Sequence, residues 1–265
     1  MESKGRIIAT LETHILDSSS FGFEPFYLTD LLLPNLPKIE IRENLRLGHK
    51  VEKIVSDLIK ASTNYKILYE NIQIKEGNQT IGEIDFILEE ISSKQRMHVE
   101  VAYKFYLFDP SLSSAPFHNW IGPNRNDSLK DKVTKLKNKQ FPLLYKPQTK
   151  AILAAIDTVE IKQKLCLLTS LYVPYQTEVL LEPEYQKAVK GYYIKHDLFK
   201  KIVSNNNYFY MPAKKDWGIN PANNKVWFSY QEVEMQLTTA IQEKQAVLCW
   251  EKNNDTYSEY FIVWW

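Results

Sequence analysis

Residues 82–106 read GEIDFILEEISSKQRMHVEVAYKFY. Two alternating runs flank a short polar loop, which predicts two β-strands. Side chains two apart share a face of a strand. In the first run Ile84, Phe86 and Leu88 take one face, and Glu83 and Asp85 the other. In the second, Val99, Val101, Tyr103 and Phe105 take one face, while His98, Glu100, Ala102, Lys104 and Tyr106 take the opposite one. If the two strands are neighbours, Asp85, Glu100 and Lys104 converge. Carboxylates so placed repel strongly unless a cation neutralises them. Two hard oxygen donors beside an amine suit a magnesium ion that keeps several waters. Such an ion activates a water and stabilises charge on a displaced phosphate oxygen, and a lysine can hold that water or offset the developing charge.

Working outward, KILYENIQI (66–74) and the strand containing Asp85 flank KEGNQT (75–80), whose Gly and Asn predict a hairpin turn. Upstream, ENLRLGHKVEKIVSDLIKA (43–61) is the clearest helix, with Leu47, Val51, Ile54, Val55, Leu58 and Ile59 on one stripe. Glu52 borders that stripe. Downstream, a loop rich in Ser, Pro and Asn (109–127) leads into SLKDKVTKLKNKQFPLL (128–144), a basic amphipathic helix with Asp127 or Ser128 as its cap. KAILAAI and KLCLLTSLYVPY are further apolar segments, read most easily as a strand and a helix or as two strands. From about residue 185 the composition shifts to Lys, Tyr and Asn, with strand-like GYYIKH and YFYMP, a helix near 229–243 and closing strands AVLCW and YFIVWW. The expected fold is α/β (α+β): a mixed central sheet flanked by helices in residues 1–183, and an α+β C-terminal extension in 184–265.

Composition excludes several classes. At 265 residues, 44% hydrophobic and 25% charged, the chain can bury an ordinary core without staples. The two cysteines, Cys166 and Cys249, show no CxxC spacing, so neither a disulfide framework nor a zinc site is expected. The first residues, MESKGRIIATLETHIL, lack the apolar run of a signal peptide, and no stretch approaches the roughly 18 apolar residues of a membrane span. A cytoplasmic protein with no membrane partner is the expectation. There is no Walker motif and no GxSxG elbow.

A helix bearing Glu52, a hairpin bearing Asp85, a strand bearing Glu100 and Lys104, and a polar helix after it resemble the PD-(D/E)XK nuclease superfamily. More narrowly, GEIDFIL, HVEVAYKFYL, WIGPNRNDSLKDKV and the KKDW segment (214–217) resemble the bacterial domain of unknown function 1853 family. The superfamily resemblance implies a restriction-endonuclease-like core hydrolysing phosphodiesters of DNA or RNA with Mg²⁺ or Mn²⁺. Asp85, Glu100 and Lys104 would be catalytic, and Asp85, Glu100 and Glu52 would hold the metal, although Glu52 reads nearly as well as an i,i+4 ion-pair partner. Gln140, or a neighbouring lysine, matches the residue that the following helix often adds. One departure stands out: acid-x-lysine would put lysine at 102, where this chain has Ala102, and Lys104 lies roughly 6–7 Å further along the strand. Arg125, Lys132, Lys135, Lys139 and Gln140 are the candidate nucleic-acid contacts, against the plainer reading of a solvated basic face. Ala102 supports an alternative, a catalytically inactive nuclease-like module that binds nucleic acid or protein. Glu83 stays open between a further site acid and a solvent face. His98 reads as a polar strand residue, and Trp120 and Trp217 as packing.

Overall fold

The expected meander over residues 66–108 forms, and it organises the chain around it. A computed structural model describes residues 2–154, 156–204, 206–254 and 256–265. Its elements in chain order are α1 (Glu2–Glu12), β1 (Glu24–Pro25), α2 (Leu47–Ala61), β2 (Tyr65–Glu76), β3 (Gln79–Glu90), β4 (Arg96–Phe108), β5 (Trp120–Ile121) and α3 (Leu129–Lys135). There follow α4 (Pro147–Ile152), β6 (Lys162–Pro174), α5 (Pro183–Ala188), β7 (Val189–Lys195), α6 (His196–Ile202), β8 (Tyr208–Tyr210), α7 (Tyr230–Gln242), β9 (Val247–Asn253) and β10 (Thr256–Val263). The ten strands make a mixed sheet flanked by helices, an α+β fold. Two compact units divide the chain, one of residues 2–11, 15–103 and 131–168, the other of 12–14, 104–130 and 169–265.

In the first unit β2 and β3 pair antiparallel around a turn in which Gly77 takes a left-handed φ of 57°. β3 and β4 pair antiparallel from Glu89↔Arg96 to Phe86↔Val99. Helix α2 buries Val51, Ile54, Val55, Leu58 and Ile59, the stripe its period predicts. Ile74, Ile84 and Ile87 of the meander pack on Leu143, Leu144, Leu153 and Ile161. KAILAAI is not the expected strand: Lys150–Ile152 close helix α4 and Ala155 lies outside the described residues, while KLCLLTSLYVPY supplies most of strand β6. β4 is paired on both edges, and apart from Arg96 and Lys104 it is also buried on both faces despite its alternating sequence.

The basic helix does not run straight. After α3 it widens into a π turn at Leu136–Gln140 and tightens into a 3₁₀ turn at Phe141–Tyr145. Pro142 explains the break: it offers no N–H, and its ring crowds the carbonyl four residues back in α geometry.

In the second unit β7 pairs parallel with β6 and with β10, and β10, β9 and β8 follow antiparallel. The aromatic surplus is spent here on packing: Phe105, Tyr172, Trp217 and Phe261 stack edge to face or offset. Trp120 is fully buried against Phe108 and Tyr185. A capping box, Ser229 with Glu232, starts α7. Phe261, Ile262 and Val263 are core strand residues, so the FIVWW terminus is structural. Both cysteines are buried and free, and burial pushes both thiols up. Among the described residues no helix is long and apolar enough to cross a membrane.

Glu259 on β10 carries a titration into this core. Burial pushes its carboxyl up to about 7, only partly offset by the Tyr172 hydroxyl that donates to it at 2.7 Å and by Lys190. An acid whose folded pKa is raised binds more protons folded than unfolded, so its contribution falls as pH rises from its ordinary 4.5 through 7. Wild type is expected to lose roughly 2–3 kcal/mol across that window. Glu259→Gln keeps the Tyr172 bond and should flatten the loss. Urea denaturation at pH 5 and pH 8 checks it; equal slopes for both proteins would remove Glu259 as the cause.

Candidate functional site

The first unit brings Asp85, Glu100 and Gln140 together, with Glu52 near enough to act on Asp85. The β3–β4 ladder reaches Phe86↔Val99, which sets Asp85 at the level of Glu100 on the next strand. There the backbone N–H of Val101 donates to Asp85 Oδ2 at 2.8 Å. Asp85 keeps some solvent exposure, yet its carboxyl is enclosed. Burial, then the Glu100 charge, push that carboxyl well above the usual aspartate range. The Val101 N–H opposes the rise, Glu52 adds to it, and Lys132 lowers it.

Glu100 is 1% exposed and held at both oxygens. His98 Nε2 lies 2.8 Å from Oε1, and Gln140 Nε2 donates to Oε2 at 3.0 Å. Gln140 also reaches the Glu83 carbonyl by a longer contact of 3.4 Å. The π turn supplies this reach, because Gln140 is its last residue. His98 is fully buried, and its ring stands edge-on to Phe141 at 5.1 Å. Glu52 sits on α2, with its carboxylate 3.0 Å from His49 Nδ1. It lines a cleft of about 480 Å³ with Leu45, Ser56, Glu70 and Glu83.

Other expected residues have ion-pair partners or exposures of their own. Lys104, four positions beyond Glu100 on β4, gives its ammonium to Asp127 at 2.6 Å. Arg125 pairs with Asp109 at 2.9 Å and stacks on Trp265 at 4.5 Å. Lys135 and Lys139 are solvent-exposed, while Lys132 is half-buried and its charge acts on Asp85. His98 is the residue that sequence reasoning under-read. No local signal marks it: the strand's alternation places His98 on the face of Glu100, and only the packing over that face makes it interior.

Among the described residues no group of three or more His, Cys, Asp and Glu is gathered to hold a metal ion. The donor chemistry nonetheless fits one kind of ion. Asp85 and Glu100 offer hard carboxylate oxygens and no thiolate, which suits Mg²⁺ or Mn²⁺ bound through two side chains and completed by water or phosphate.

Residues 32–260 match the family described as a domain of unknown function, DUF1853, and the chain belongs to that family. No curated protein and no solved structure matches it.

Proposed function

We propose that the chain is a divalent-metal-dependent nuclease on a PD-(D/E)XK-like core, cleaving phosphodiesters of DNA or RNA. One observation carries this reading: two carboxylates on adjacent strands face each other at a cost, and a glutamine 40 residues away is brought to one of them. An apolar pair would be cheaper for folding alone. The succession of α2, β2, β3, β4 and, after the short β5, the α3 segment that runs on into the π turn supports it, since it sets Glu52, Asp85, Glu100 and Gln140 in the order that the superfamily resemblance implies.

Bound between Asp85 and Glu100, Mg²⁺ or Mn²⁺ would supply an activated water and charge stabilisation at the phosphate. Val101 N–H fixes Asp85, and Gln140 fixes Glu100, so the two oxygen donors need no rearrangement on binding. Glu52 extends the acidic side into the cleft. Lys132 contributes positive charge beside Asp85, where a scissile phosphate would carry its oxygens. The exposed Lys135 and Lys139 offer contacts to the flanking backbone, which makes binding salt-dependent.

A non-cleaving nucleic-acid-binding module is the second reading, favoured by the engagement of Lys104 with Asp127 and by Ala102. Incubation of the full chain with labelled single- and double-stranded DNA and RNA in Mn²⁺, Mg²⁺ or EDTA separates the two. The nuclease reading expects metal-dependent cleavage that Glu100→Gln lowers by at least about 100-fold. Cleavage untouched by Glu100→Gln would move the chemistry elsewhere. Salt-sensitive retention without cleavage, persisting in EDTA, selects the second reading.

A further inference from the structure

We propose that His98 is a positioning residue: through its Nε2–H it fixes the Glu100 carboxylate in its metal-binding rotamer. This deepens the nuclease reading above and rests on it.

Glutamate has three rotatable side-chain bonds, and a free one must be ordered when it takes up a ligand. Here both oxygens are held beforehand. Gln140 Nε2 donates to Oε2 from the π turn, and His98 Nε2 stands 2.8 Å from Oε1. The two restraints differ in character. Gln140 reaches Glu100 across the sequence from a turn and is half-buried. His98 sits two residues before Glu100 on the same face of β4, is fully enclosed, and has its ring blocked by Phe141. An ionised carboxylate only accepts, so Nε2 carries the proton.

Nδ1, the other ring nitrogen, is buried and has no hydrogen-bond partner among the described residues. An enclosed, unsatisfied nitrogen costs free energy that a Phe or Leu in the same space would not incur. Packing therefore does not account for histidine at this position, whereas the bond to Glu100 does. The arrangement is that of an outer partner orienting a ligand side chain, whose loss lowers metal affinity by about 10–100-fold.

The test is calorimetric titration of Mn²⁺ into the full chain as wild type, His98→Phe, His98→Asn and His98→Gln, with a melting curve for each. The Gln amide nitrogen lies near the Nε2 position, while the Asn nitrogen lies near Nδ1. We expect about 10–100-fold weaker binding for Phe and Asn, and binding within about threefold of wild type for Gln. His98→Phe should melt at or above wild type, so that affinity and stability move in opposite directions. Wild-type affinity in both Phe and Asn would overturn the inference while leaving the metal site standing. If Phe fails to fold, the Asn and Gln pair decides alone: equal affinities overturn the role. Absence of Mn²⁺ binding by the folded wild type would overturn the metal-site reading and this inference together.

Discussion

Asp85→Asn should melt higher than wild type and bind Mn²⁺ at least about 100-fold more weakly. The stability gain follows from the cost the native residue carries. Burial and the neighbouring Glu100 charge disfavour the ionised form of Asp85 in the folded chain. Wild-type stability therefore falls as pH rises above the ordinary aspartate value of 3.8, because the unfolded chain gives up its proton first. Asparagine removes that penalty. Its Oδ1 still accepts from Val101 N–H, and its amide can donate towards Glu100. The expected gain at pH 8 is about 1–2 kcal/mol, or roughly 2–8 °C for a chain of this size. It should shrink as the pH is lowered through 3.8, below which both states of the wild type hold the proton. The metal loss follows from replacing a hard anionic donor with a neutral one. Opposite movement of stability and function marks a site held at a cost to the fold. A variant that melts lower than wild type at pH 8, with Mn²⁺ affinity intact, would make Asp85 an ordinary structural carboxylate.

Gly191→Ala should destabilise the chain by about 3 kcal/mol. Gly191 lies on β7, where the parallel pair Tyr192↔Tyr260 sets it beside Glu259 of β10. A Cβ there would overlap the Glu259 carbonyl oxygen, and the Tyr172 ring lies 3.6 Å on the other side. The obstacle is backbone, so no rotamer change relieves it and a strand must shift. Gly82→Ala is the matched control. Its new methyl meets the buried Leu143 side chain, which must repack but holds no backbone in the way, so the expected cost is smaller, about 1–2 kcal/mol. Urea denaturation of both variants checks the contrast; equal losses would mean that β7 and β10 separate more readily than this register allows.

What the sequence disclosed here is what a period discloses. The six apolar positions of residues 43–61 recur at helical spacing, and alternation put Asp85 and Glu100 on a shared side before any strand pairing was known. The hairpin turn at Gly77 needs a residue tolerant of a left-handed φ, and glycine announces it. The environment of those residues was less legible. Alternation in HVEVAYKFY separates two faces without saying what covers them, and along β4 only Arg96 and Lys104 keep partial exposure. His98 and Glu100 are interior groups, although His98 reads from the sequence as an ordinary polar strand residue. Lys104 shares the face that alternation predicts, yet the loop that follows supplies Asp127 to take its charge, a partner 23 residues away. Gln140 was reached by resemblance, since nothing in the lysine-rich run distinguishes it. The parallel join of β7 to β10 pairs residues nearly 70 apart and leaves no local mark.

The π turn at 136–140 makes the site sensitive to chain length as well as to side-chain identity. A π turn holds one more residue than the same stretch of α-helix. Removing Lys139 would let the stretch regularise to α-helix with both ends in place, so the amide of Gln140 should stay beside Glu100. An added residue finds that slack already used, and each residue of α-helix turns a side chain by about 100°. A single-codon insertion in this exposed, lysine-rich segment, where indels are ordinarily tolerated, should therefore swing the amide off Glu100 and disable the site as surely as losing the glutamine.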